Sequence, residues 1–188
     1  YKRQGSDTYD ALSAIAPTVF TSTGQGWKDT FLQSAAALGR GQSGFEALAS
    51  FSDDAERVGR EIDATQTQAS VIRFGGDTIE VDGPSSFAGQ VLAEVGVGRP
   101  QSQRDADFSV TPDDLSSVEG DIVYVRFAGP DGESYGREVM DSDAWHALGS
   151  VTDGRIFAVN DTVWSGSGII AARAVLADLS ASLNGYVS

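Results

Sequence analysis

Two arginines and a tryptophan stand where strand-like runs end. Arg73 lies at the end of 69–74 (ASVIRF), Arg126 at the end of 121–126 within the clearest strand signal (121–127, DIVYVRF), and Trp164 in the loop after 155–160 (RIFAVN). Ligands of an open parallel sheet sit beyond the carboxyl ends of its strands. Three separate strands would therefore deliver two guanidiniums and one indole to the same edge. A guanidinium holds planar or anionic oxygen groups through its fork of donors, and an indole offers a flat apolar wall. The plain alternative pairs each arginine with a nearby Asp or Glu and buries Trp164 in the core. An anion cleft predicts that replacing both arginines weakens binding while thermal unfolding stays nearly unchanged.

The elements that must position these residues follow from periodicity. Residues 1–26 read as a short helix, carrying Tyr9, Leu12 and Ile15 and ended by Pro17, then an extended piece too short to bury its own apolar side chains. From Trp27 to Ile62 apolar residues recur at helical spacing in two stripes separated by Gly39 and Gly41. The second stripe (Phe45, Leu48, Phe51, Ala55, Val58, Ile62) predicts a long connecting helix. Thereafter strand and helix signals alternate. Gly75-Gly76 turns the first strand toward a second at 78–81, Ser85-Ser86 caps a helix that Gly96 ends, 142–148 forms a short helix with Trp145 and Leu148 inward, and 168–183 forms a strongly amphipathic final helix. This order predicts an α/β fold, a mostly parallel sheet flanked by helices and preceded by the long helix. The divisions expected are 1–26, 27–66 and 67–188.

Composition narrows the function classes. The 188 residues hold 13 basic and 27 acidic side chains, a formal charge of −14, which argues against nucleic acid as a partner. No run nears the roughly 18 apolar residues that suggest a membrane span. There is no cysteine, hence no disulfide, thiolate metal site or cysteine nucleophile. The single histidine, His146, next to Trp145, leaves little room for a triad or a zinc site and reads as a surface or packing residue. Asp53-Asp54 and Asp113-Asp114 are helix neighbours that do not face each other, so they read as capping and solubility devices. An α/β hydrolase-like or nucleotide-binding enzyme lacks its nucleophile elbow and its phosphate loop, so no enzyme activity is expected.

Five stretches, in order over nearly the whole chain, resemble the substrate-binding proteins of iron-siderophore ABC transporters, the class whose two lobes are joined by one long helix. These are 9–19 (YDALSAIAPTV); Gly26-Trp27 with Phe31 and 37–39 (ALG); 74–92, including 82–89 (DGPSSFAG); 115–125 (LSSVEGDIVYV); and 153–179 with Trp164, Gly166 and Gly168. The resemblance implies an extracytoplasmic component of an ABC importer, periplasmic or held at the cell surface as a lipoprotein, that captures a ferric siderophore between two lobes. Haem or cobalamin are alternative ligands of the same fold. No cofactor of its own is implied, since iron arrives inside the siderophore complex. The partners implied are the ferric siderophore and the membrane permease, with membrane association only through a lipid anchor outside this sequence. A complete first lobe precedes the segment at Tyr9 in that family, so this chain is expected to be the connecting helix and second lobe of a longer receptor.

Carried over position by position, the resemblance sets Arg73, Arg126 and Trp164 facing the cleft. Phe74 is added by the same argument, with the core as its alternative, and Glu94 is a candidate for contact with the permease. Tyr135 lies in 128–136 (AGPDGESYG), which reads as an insertion-like loop able to reach a ligand or to stand in solvent.

Overall fold

In a computed structural model, residues 2–21 and 24–183 are described. Helices α1 (Lys2–Ser13), α2 (Trp27–Ala37) and α3 (Gly41–Glu61) precede the sheet. Strands β1 (Ala69–Phe74) and β2 (Ile79–Val81) lead into α4 (Phe87–Val95), then β3 (Phe108–Val110) and β4 (Ile122–Phe127). The chain continues through α5 (Gly129–Met140), α6 (Asp143–His146), α7 (Gly149–Thr152), β5 (Ile156–Ala158), α8 (Asp161–Trp164) and α9 (Ile169–Leu183).

The five strands form one sheet in the order β3-β2-β1-β4-β5. β1, β4 and β5 pair in parallel; on the other side of β1, β2 pairs antiparallel with it and β3 antiparallel with β2, so β3 runs in the direction of β1. The α/β class, the flanking helices and the preceding long helix are as expected; four of the five strands point the same way, and the sheet is mixed through the reversed β2. The cause is local: Gly75 donates its N–H to the Thr78 carbonyl at 2.8 Å, closing a tight turn that can only produce an antiparallel neighbour.

β1 and β4 are apolar on both faces because both faces are covered. Ala69 and Val71 of β1, with Ile122 and Tyr124 of β4, join the core under α3, α4 and α9. Ile72, Phe74, Val123 and Val125 point the other way, into the core with Val139 of α5, Trp145 of α6 and Leu148. Phe51, Ala55, Val58 and Ile62 of the α3 stripe are buried, whereas Phe45 is exposed. At 1.5 Å per residue the 21 residues of α3 span about 32 Å. α9 buries Ala172, Val175, Leu176, Leu179 and Leu183, but its outer side carries Ile170, Ala177 and Ala181 beside Arg173. The contrast between its faces is thus weaker than its spacing suggests. α1 and the segment after it leave Ile15, Val19 and Phe20 exposed, Phe20 lying 5.3 Å from the Tyr9 ring. No helix among the described residues is long and apolar enough to cross a membrane.

Candidate functional site

The site begins with strand register. β1 and β4 pair in parallel with Arg73 opposite Arg126 and Phe74 opposite Phe127. Successive side chains of a strand point to opposite faces. Arg73 and Arg126 therefore continue the face of Val71 and Tyr124, while Phe74 and Phe127 continue the face of Ile72 and Val125. Beyond β5, the Asn160 side chain accepts the Val163 N–H at 3.0 Å and starts α8, which sets Asp161 in its first turn at the same edge. Asp82 follows directly on β2, and Glu80 lies within it.

These residues surround a hollow of about 510 Å³ lined by Arg73, Glu80, Asp82, Phe87, Arg126 and Trp164, among others. Arg126 is buried, with 3% of its surface exposed. Its Nη2 donates to both oxygens of Asp82, at 2.6 and 2.7 Å. Its Nη1 donates to Asp161 Oδ1 at 3.5 Å and to the Ser165 hydroxyl. Arg73 gives Nε and Nη2 to the two oxygens of Asp161, at 2.8 and 3.2 Å, and Nη1 to Glu80 at 3.2 Å. Deeper in, Arg99 donates Nη1 to the Ala69 carbonyl at 2.9 Å and Nη2 to the Asp82 carbonyl. Both guanidiniums at the hollow are thus neutralised by carboxylates, the plain alternative of the sequence reading.

The electrostatics follow from depth. Burial pushes the Asp82 carboxyl up, against the charges of Arg126 and Arg99. Asp161 is shallower: burial acts upward there too, but the Arg73 hydrogen bond and the charges of Arg73 and Arg126 together hold it below the usual carboxylate range. The hydrogen bonds that Arg73 donates to Asp161 raise Arg73, against its burial. Burial lowers Arg99 to about 10, opposed by the charges of Asp82 and Asp107.

Of the five expected ligand residues, Arg73, Arg126 and Trp164 come together at this hollow, and Phe74 and Tyr135 do not. Trp164 is fully buried; its indole N–H donates to Asp178 at 2.7 Å and its ring lies 4.6 Å from Tyr124, so it backs the hollow as part of the core. Phe74 is fully buried on the opposite face of the sheet, stacked on Phe127 at 5.6 Å. Residues 129–140 are the helix α5, not a loop, and Tyr135 packs edge-on against Phe74 at 6.2 Å on that opposite face. Glu94 accepts from Ser52 at 2.6 Å and pairs with Lys28 at 2.6 Å, tying α2, α3 and α4 together. Sequence reasoning missed Asp82, Asp161 and the half-buried Phe87. The strand-end rule that drew attention to the arginines applies also to Asp161, which follows the parallel β5, but not to Asp82, which follows the antiparallel β2 and lies beside Val71. His146 is exposed, and no cluster of three His, Cys, Asp or Glu among the described residues is arranged for a metal ion.

No protein-family model matches the chain. A probable siderophore-binding lipoprotein of Bacillus subtilis, YfiY, is 30% identical over 188 residues, covering 90% of this chain and 57% of the relative. The chain therefore spans a little over half the length of the curated relative it matches. Among solved structures, Staphylococcus aureus SirA complexed with staphyloferrin B superposes with a TM-score of 0.81 at 24% identity, covering 97% of this chain and 69% of that one. A FhuD-fold periplasmic binding component of a Fep/Fec-like ferrichrome ABC transporter from Bacillus subtilis gives 0.78 at 19% identity, covering 92% and 67%. The curated relative agrees with the resemblance read from the sequence, and the solved structures agree with the fold that it implied. The fold is shared with these structures over nearly the whole of this chain and over about two thirds of theirs.

Proposed function

We propose that this chain, an iron-siderophore substrate-binding protein by sequence likeness and by fold, supplies the connecting helix and second lobe of an extracytoplasmic receptor that hands a ferric siderophore to an ABC importer. The observation that carries the reading is the hollow at the carboxyl edge of the parallel strands, where Arg73 and Arg126 meet in register on a fold shared with siderophore-binding proteins. Iron is held by the oxygens of the siderophore, and the protein touches only the outside of the complex. Phe87 offers an apolar surface in the hollow and the partly exposed Arg73 a guanidinium, while the hydroxyls of Ser86 and Ser165 already donate to the Gly83 carbonyl and to Asp161 and are left as acceptors. α3 packs along α4 and α9, so lobe closure about it is limited in amplitude. A permease is the partner to which the loaded receptor docks.

Trp164 lines the same hollow as Arg126 and Ser165, so its fluorescence is expected to report occupancy. Titrating the two-lobed receptor that contains this chain with ferric siderophores is expected to give saturable quenching, and the same siderophores without iron are expected to give much less. Equal responses with and without iron, or no saturable response to any ferric complex, would refute the reading.

A further inference from the structure

Away from the hollow, the charge of the surface is one-sided. The chain carries −14, and among the described residues most of its carboxylates stand exposed and outside any ion pair, Asp29, Asp53, Asp63, Asp105 and Asp113 among them. One concentration of the excess runs along α5 and α6. Residues 129–143 hold Asp131, Glu133, Glu138, Asp141 and Asp143 against a single cation, Arg137. Asp77, in the turn between β1 and β2, shares with Asp131 and Glu138 a second hollow of about 490 Å³, and among the described residues no Lys or Arg lines it. Burial and the charges of Asp77 and Glu138 together push the Tyr135 hydroxyl up, so the turn and the helix act on the same point. α5 lies against β1 here, where a Cβ at Gly132 would meet the Phe74 carbonyl.

Salt acts on such a surface in two opposed ways. Screening weakens ion pairs, but the pairs of α3, Arg57 with Asp54 and Glu61 and Arg60 with Glu56, lie at the surface and contribute little. Arg126 and Asp82 are buried and are screened much less. Screening also relieves the repulsion among exposed carboxylates, and with 27 acidic against 13 basic side chains that gain outweighs the attraction lost. The Debye length falls from about 10 Å at 0.1 M to about 3 Å at 1 M, so carboxylates facing one hollow are released from each other only at high ionic strength. We infer that this fold depends on high salt, reaching its full stability only as ionic strength approaches about 1 M, and that the edge formed by the β1–β2 turn and α5 is its most salt-sensitive part. Repulsion there pushes α5 off the end of β1. This property is independent of which ligand the other hollow takes.

The test is thermal unfolding of the full-length protein that contains this chain, in KCl from about 0.1 M to about 2 M. The melting temperature is expected to rise by about 10 °C or more, with most of the rise below about 1 M, where the Debye length changes most. A variant carrying Asp77→Asn, Glu133→Gln, Glu138→Gln and Asp141→Asn removes exposed carboxylates of the turn and the α5 region. It is expected to melt higher than the unaltered protein at low salt and to gain less from added KCl. A melting temperature that stays flat or falls with KCl overturns the inference, because surface ion pairs would then dominate. A rise confined to the highest salt, or one that the variant leaves unchanged, overturns it too, because salting-out of apolar surface would then be the cause. The salt profile of the unaltered protein decides even if the variant does not fold.

Discussion

Arg73 and Arg126 stand opposite each other on adjacent parallel strands, and one carboxylate, Asp161, accepts from both guanidiniums. Two like charges in direct register repel each other, and the shared acceptor at the start of α8 offsets that repulsion. The two arginines nevertheless differ in kind. Arg126 is sealed under the edge with both oxygens of Asp82 in its grip, whereas Arg73 is 30% exposed in its side chain.

That difference separates their stability effects. Arg126→Ala takes from the buried Asp82 its hydrogen-bonded counter-charge, leaving only the charge of Arg99 nearby, and is expected to cost about 3 kcal/mol. Arg73→Ala breaks a partly solvated pair and is expected to cost about 1 kcal/mol or less. Urea unfolding of the two variants checks this, and equal losses would contradict it. For Arg126 this prediction departs from the expectation read from the sequence that removing both arginines leaves unfolding nearly unchanged.

Acid is expected to weaken the fold through three carboxylates. Asp161, Glu94 and Glu119 each feel burial acting upward, but hydrogen bonds, joined by a cationic neighbour at Asp161 and Glu94 and made by the Gly149 and Ser150 N–H groups at Glu119, hold all three below their ordinary values of 3.8 and 4.5. A depressed carboxyl contributes stability above its unfolded pKa and loses it as pH falls through the folded one. Asp82, which burial raises, has the opposite sign and protonates earlier on the way down. The melting temperature is expected to hold down to the ordinary carboxylate range and then fall. A melting temperature that rose below pH 4.5 would mean that Asp82 dominates.

A third expectation concerns α5. A Cβ at Gly132 would lie 2.4 Å from the Phe74 carbonyl oxygen, a backbone atom that cannot step aside. Gly132→Ala should therefore destabilise by about 1–3 kcal/mol, although alanine is the better helix former. Gly41→Ala, whose nearest neighbour would be Ala36 Cα at 4.0 Å, should change stability by less than about 1 kcal/mol. Thermal unfolding of both variants decides it, and a stabilised Gly132→Ala would mean that α5 does not press on β1 as closely as described.

Some of this was written locally. The apolar runs of β1 and β4 end where they were expected to end, Ser86 caps α4, and Gly96 closes it. The strand-end rule found the correct edge for Arg73, Arg126 and Trp164. Strict alternation along β1 would also have excluded Phe74, because a residue next to Arg73 in a strand must point to the other face.

Other features depended on partners distant in sequence. Residues 128–136 read as a loop on account of three glycines and a proline, yet Pro130 opens α5, and Gly132 and Gly136 are glycines because the helix lies against the Phe74 carbonyl and the Phe127 ring. Composition shows the glycines but not what presses on them. The same holds for the charge of the site. The sequence by itself determined that two arginines reach one sheet edge; only the tertiary structure decided that Asp82 and Asp161, 44 and 35 residues from Arg126, reach it as well. Strand periodicity is a local property, whereas the identity of a counter-charge is set by which loops the sheet order brings together.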